Sequence, residues 1–191
     1  MPRDACAVVL AGGRSTRFGS DKALAQFRGE PLVAHVLRGL RAAGFAQIAL
    51  AAKDPQPYAA MGVELLQDRL AAQTPLAGLA AGLEASRHEL VFACAADMPF
   101  AADAALIDAL TAAMQGHDAV VPEAGGSIQP LCAMWRKSTC LRVAEELLQA
   151  PRPPGPRAIY QQVRWTKLDW ADIRPFLDAD TPEALKDLER T

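Results

Sequence analysis

Residues 5–22 read ACAVVLAGGRSTRFGSDK, and this stretch decides the fold. Its first six residues, Ala5 to Leu10, are small, β-branched or, at Leu10, otherwise aliphatic, and uninterrupted by charge, the pattern of a strand buried on both faces. The strand is followed at once by paired glycines, two arginines and a lysine. Adjacent glycines let backbone N–H groups approach an anion with no Cβ in the way. Arg17 suits bidentate phosphate contact and Lys22 supplies a point charge. The alternative is a tight strand-to-helix turn with a solvated basic face. Two common phosphate loops are excluded by spacing. A P-loop needs a lysine directly after its second glycine, and here Ser20 and Asp21 intervene after Gly19. The dinucleotide fingerprint fails because Arg14 follows Gly13.

Working outward, apolar runs alternate with helix-period segments. Strands are expected at 5–11, 47–52, 63–66, 90–96, 119–122, 129–135 and 164–170. Helices are expected at 32–43, 76–86, 103–115, 138–149 and from Pro182 onward. Pro31 and Gly44 bound the first helix, Asp103 caps the third, and Thr181 caps the last. The proline-rich 151–156 segment reads as a stiff connector. This order predicts an α/β fold, a mostly parallel twisted sheet with helices on both faces, Rossmann-like in plan. One domain over residues 1–191 is expected, with a nucleotide-binding part to about 122 and an acceptor-binding part from about 123. Ligands in such folds lie beyond the carboxyl ends of the strands, and segments 11–22 and 97–99 both directly follow strands.

Bulk properties narrow the classes. The chain has 191 residues, 51% hydrophobic and 22% charged, with net charge −2. That argues against a nucleic-acid coat or a membrane-surface binder. Positive charge is nonetheless concentrated between Arg3 and Arg41. Cys6, Cys94, Cys132 and Cys140 are scattered without a zinc spacing, and no apolar stretch approaches the ~20 residues of a membrane span. A cytoplasmic protein with reduced thiols is expected. His35, His88 and His117 lack nucleophile or acid partners in the sequence and read as structural. Trp165 and Trp170 read as covering a sheet edge.

The glycine-rich stretch, Leu10-Ala11-Gly12-Gly13-Arg14-Ser15-Thr16-Arg17-Phe18-Gly19-Ser20-Asp21-Lys22, resembles the signature L-A-G-G-x-S-x-R-[MF]-G-x-D-K of nucleotidyltransferases, and within them the molybdenum cofactor guanylyltransferases. Further segments match in order: Asp68 with Thr74-Pro75-Leu76-Ala77-Gly78-Leu79, Ala96-Asp97-Met98-Pro99, Gln129-Pro130-Leu131-Cys132-Ala133-Met134, and FLDADTPEAL from Phe176 to Leu185. The resemblance implies a nucleotidyltransferase fold and transfer of GMP from GTP to the terminal phosphate of molybdopterin, with or without molybdenum. It implies GTP bound by Leu10, Ala11, Gly12 and Gly13, with Arg17 and Lys22 on the phosphates and Asp68 and Gly78 near the nucleoside. Asp97 is implied as the Mg²⁺ ligand. A hard ion held by one or two carboxylates plus substrate phosphates makes that role chemically sensible, although a turn or capping acid is the plainer reading of the residue alone. Gln129, Asp178 and Asp180 are implied on the acceptor side.

Two departures stand out. The family's asparagine after the second strand is absent from Ala49-Leu50-Ala51-Ala52-Lys53, where Lys53 is the charged alternative. The terminal asparagine pair is Asp178-Ala179-Asp180 here, and carboxylates favour a metal contact over amide donation. Asp180 could equally cap the last helix. A CTP-using relative and a non-catalytic nucleotide binder remain alternatives; the second glycine, Gly13, favours guanine. A monomer with transient contacts to other cofactor-biosynthesis proteins is expected.

Overall fold

The structure is a computed structural model, and it describes residues 3–12, 21–68 and 74–190. In chain order the strands are β1 (Arg3–Ala11), β2 (Gln26–Phe27), β3 (Glu30–Pro31), β4 (Phe45–Ala52), β5 (Glu64–Gln67), β6 (Leu90–Ala95), β7 (Ala119–Ala124), β8 (Ser127–Ile128), β9 (Cys132–Arg136) and β10 (Trp165–Asp169). The helices are α1 (Leu32–Ala42), α2 (Pro75–Ala85), α3 (Ala104–Ala113), α4 (Lys137–Leu148) and α5 (Pro182–Glu189).

Among the described residues the main sheet runs β10-β7-β9-β6-β1-β4-β5, with β8 attached to β7. The pairs β1–β4, β1–β6, β4–β5 and β7–β10 are parallel. Strand β9 runs antiparallel between β6 and β7. The sheet is thus mostly parallel, as expected, with the short β8 also antiparallel to β7 and with a reversed β9 that the apolar pattern of 129–135 did not reveal.

Period-two alternation builds the two-sided core. Ala5, Ala7 and Val9 of β1 pack with Val33, Val36 and Leu37 of α1 and with Leu106, Ile107 and Leu110 of α3. The intervening Cys6, Val8 and Leu10 pack on the other face with Leu76, Leu79 and Leu83 of α2 and with Cys140 and Val143 of α4. Helices therefore cover both faces. The close approach of α2 to β1 requires glycine. A Cβ on Gly82 would lie 2.5 Å from Val8 Cγ1, and one on Gly78 3.3 Å from Leu10 Cδ2.

Caps follow the sequence. Asp103 accepts from Leu106 N and Thr181 from Ala184 N. Neither Asp97 nor Asp180 caps the helix that follows it. The edge strand β10 carries Trp165, which stacks on Tyr160 at 4.5 Å between centroids, so the tryptophan does cover the sheet margin. A small hairpin, β2–β3, was not legible. Its two-residue turn places Arg28 at φ 50° and Gly29 at φ 83°, the left-handed pair that matches strand twist.

Candidate active site

Parallel strands deliver their carboxyl ends to one edge of the sheet. Gly12 follows β1, Lys53 follows β4, Asp68 follows β5 and Asp97 lies just beyond β6. The reversed β9 contributes its beginning to the same edge, because Cys132 pairs with Cys94 at the end of β6. Gln129 to Leu131 are therefore brought there too, and Ala95 N donates to Leu131 O at 2.9 Å. The chain leaving β10 returns Asp178 and Asp180. The sheet order reverses at β1: β4 and β5 extend to one side and β6 starts the other. Such a switch point opens a crevice between neighbouring connections, and Gly12 and Asp97 flank it.

Lys22 and Asp97 form its charged centre. Lys22 Nζ lies 2.6 Å from Asp97 Oδ2 and 2.5 Å from Asp180 Oδ1. Burial works against the ammonium, but the hydrogen bonds and charges of Asp180 and Asp97 outweigh it and hold Lys22 above the usual lysine range. Partial desolvation, followed by the charges of Asp180 and Asp97, raises the Asp178 carboxyl above the ordinary aspartate range, with Lys22 pulling it back. The backbone carries the arrangement. Ala96 N donates to Leu10 O, and Ala179 N donates to Asp97 O at 3.2 Å. Ala179 is itself buried with Phe27, Leu32 and Leu188.

Lys22 opens a single 3-10 turn, Lys22–Leu24, capped by Asp21 through Ala23 N. The buried Tyr58 hydroxyl donates to the other Asp21 oxygen. Sequence reasoning left both residues out of the site. Asp21 had a signal, being a good capping residue directly before the lysine; Tyr58 had none.

Several expected site residues sit elsewhere in the division of labour. Gly13 and Arg17 lie outside the described residues. Leu10 is committed to the sheet and core, and Gly78 faces Leu10 and Ala51 beneath α2, which is a packing role. Gly12 differs: a Cβ there would meet no described atom within 4 Å. Asp68, mostly buried, is paired with Lys53 at 3.0 Å, so the lysine that stands in the asparagine's place contacts this acid. Pro75 and the Pro130-Leu131 segment meet across a cavity of about 490 Å³, lined also by Pro154, Gly155, Pro156 and Arg157; Gln129 is not part of its lining. A second cavity of about 570 Å³ between β5, α2 and α4 shares only Asp68 with the expected site residues.

Nucleophilic chemistry by the protein finds no support in the described side chains. Burial raises the Cys6 thiol to about 11 and the Cys94 and Cys140 thiols to about 12. His35 Nε2 bonds the Phe27 carbonyl, His88 pairs with Asp4, and His117 contacts Ala113 O. A divalent ion does fit. Two carboxylate oxygens from separate segments converge on one cationic atom. No cluster of three ligating side chains exists among the described residues; a hard ion with one or two carboxylates takes its other ligands from phosphate and water.

Comparison with known proteins shows the family and the fold. The family model for the MobA-like NTP transferase domain matches residues 7–167. The chain belongs to that family. A molybdenum cofactor guanylyltransferase of Pseudomonas putida is 32% identical over 97% of this chain and 98% of its own length. One from Burkholderia ambifaria is 33% identical over 96% and 94%. The crystal structure of molybdopterin-guanine dinucleotide biosynthesis protein A from Archaeoglobus fulgidus superposes with a TM-score of 0.80 at 20% identity, covering 97% of each chain. Membership in the MobA-like family makes this a nucleotidyltransferase. No helix among the described residues is long and apolar enough to cross a membrane.

Proposed function

We propose that this protein transfers GMP from GTP to the terminal phosphate of molybdopterin, forming the guanine dinucleotide and releasing pyrophosphate. The observation that carries the reading is the Lys22–Asp97 pair at the sheet's switch point, in a chain whose relatives are named for this reaction. A phosphate oxygen of the acceptor attacks the α-phosphorus of GTP, and the bond from that phosphorus to the pyrophosphate oxygen breaks. A phosphomonoester with its second pKa near ~6 is already an adequate nucleophile at neutral pH. The protein therefore has to align two anions and neutralise charge. Lys22, Arg17 and the backbone at Ala11 to Gly13 take the phosphates. Gly12 supports this, since no described packing demands a glycine there. Mg²⁺ on Asp97 would offset negative charge on the phosphate oxygens. Asp68 lies on the nucleoside side, while Gln129 and Asp178 face the acceptor, which enters by the cavity beside Pro130 and Leu131. Four free, buried thiols suit a reducing cytoplasm.

The test is pyrophosphate release by purified protein with Mg²⁺ and molybdopterin, comparing GTP, CTP, ATP and UTP. Release with GTP, and a guanine dinucleotide by mass, supports the reading. Preference for CTP moves the specificity to cytosine. No release with any triphosphate, from folded protein and competent acceptor, overturns it.

A further inference from the structure

Asp97 and Asp180 are placed by scaffolding that does not involve the Lys22 side chain. Asp97 hangs from the end of β6, anchored through Ala96 N to Leu10 O. Asp180 lies between the buried Ala179, whose N–H donates to Asp97 O, and Thr181, whose hydroxyl caps α5. The backbones of the two aspartates are tied to each other, and the two carboxylates form a fork around Lys22 Nζ. The atom held in it, Lys22 Nζ, sits at the tip of a flexible four-carbon stem and is the exchangeable member.

The two demands on Lys22 conflict. As a phosphate ligand it must swing its charge toward the triphosphate, but two carboxylates then face each other with Asp178 close by. Like charges at this range and partial burial are costly unless another cation takes the vacated position. Carboxylates, and not amides, occupy 178 and 180 in this chain, so the fork carries the charge that a hard divalent ion prefers.

We propose that the divalent ion and the Lys22 ammonium exchange places in the Asp97–Asp180 fork, which makes Asp180 the second carboxylate ligand of the ion and Lys22 its competitor in the nucleotide-free protein. The proposal rests on the metal-assisted transfer argued above. It adds a binding order in which metal and triphosphate enter together: the ion fills the fork as the phosphates draw Lys22 out of it. A lysine whose role is confined to phosphate contact has no influence on metal affinity when nucleotide is absent.

The experiment is a titration of Mn²⁺ into the full chain without nucleotide, followed by the electron paramagnetic resonance of free Mn²⁺. It is read independently of pyrophosphate release, so failure here and failure of the transferase reading are distinct. Lys22→Met should bind Mn²⁺ about tenfold or more tighter than wild type, a gain of about 1.4 kcal/mol. Adding Asp180→Asn to Lys22→Met should abolish most of that gain. Unchanged or weaker binding by Lys22→Met overturns the exchange, and an Asp180→Asn effect below about twofold in that background removes Asp180 as a ligand. Should Lys22→Met not fold, Asp180→Asn alone decides. Its side chain is 68% exposed and tolerant of change, and it should weaken Mn²⁺ binding several-fold; an unchanged affinity overturns the proposal.

Discussion

Tyr58 donates its hydroxyl hydrogen to Asp21 Oδ2 at 2.5 Å, while Oδ1 of the same carboxylate caps the turn that begins at Lys22. Burial, and then the hydrogen bond and charge of Asp21, push the Tyr58 phenol upward, so it stays a donor throughout the working pH range. This contact fixes the base of Lys22. Tyr58→Phe should lower stability by about 1–3 kcal/mol and raise the KM for GTP more than it lowers kcat. A urea melt beside steady-state kinetics separates the two effects; an unchanged KM would dissociate Tyr58 from the placement of Lys22.

Gly82→Ala should destabilise the fold by about 1–3 kcal/mol, since the added methyl overlaps both methyls of Val8 on a strand packed from both sides. Val8→Ala in the same chain removes those methyls and should recover part of the loss. The recovery stays partial because Val8 Cβ itself stands 2.9 Å from the new atom. Denaturation midpoints of the two single variants and the double variant give the answer.

Asp118 is 4% exposed and accepts hydrogen bonds from Arg164 N, Nε and Nη2. The Arg164 hydrogen bonds hold its carboxyl below the usual aspartate range, against its burial. A depressed folded-state pKa gives stability that is complete above the unfolded value, ~3.9, and fades as the pH falls through the lower folded value. Asp118→Asn should therefore cost about 1–3 kcal/mol at neutral pH, and its gap from wild type should close below roughly pH 4. Equal gaps at pH 7 and pH 3 would contradict the assignment.

Chelation of divalent ions should stop pyrophosphate release, and added Mg²⁺ should restore it. Asp97→Ala should lower the rate by about 10² or more, equivalent to about 2.7 kcal/mol of barrier, with its far-ultraviolet spectrum unchanged. Full activity in this variant would remove Asp97 from the reaction.

The parts of this molecule that were legible in the sequence are those encoded by local pattern. β1 is visible because Ala5 to Leu10 form an uninterrupted apolar run, all of it buried, and α5 because Thr181 precedes proline at the first helical position; the Thr74 cap and Pro75 start of α2 were missed, the helix being expected from Leu76. The β2–β3 hairpin escaped because two-residue strands carry no periodicity. The direction of β9 escaped because an apolar run looks the same whichever way it pairs. Within the site, Lys22, Asp97 and Asp180 were each singled out by their own motif. Their meeting at one nitrogen joins distant segments, which only the fold brings together. Asp118 was unreadable for a similar reason: its partners, Arg164 and Arg136, arrive from just before β10 and from the end of β9.

Strand β9 runs backward between β6 and β7, and so interleaves the two portions of the chain within one sheet. β6 and β7 come from before residue 125, whereas β9, their shared neighbour, comes after it. The portions of the chain before and after residue 125 cannot be exchanged as separate modules, because cutting them apart leaves a gap in the hydrogen-bonded ladder. New specificities in this architecture must be written into the connections at the sheet edge, a few residues at a time, on a frame that both substrates share.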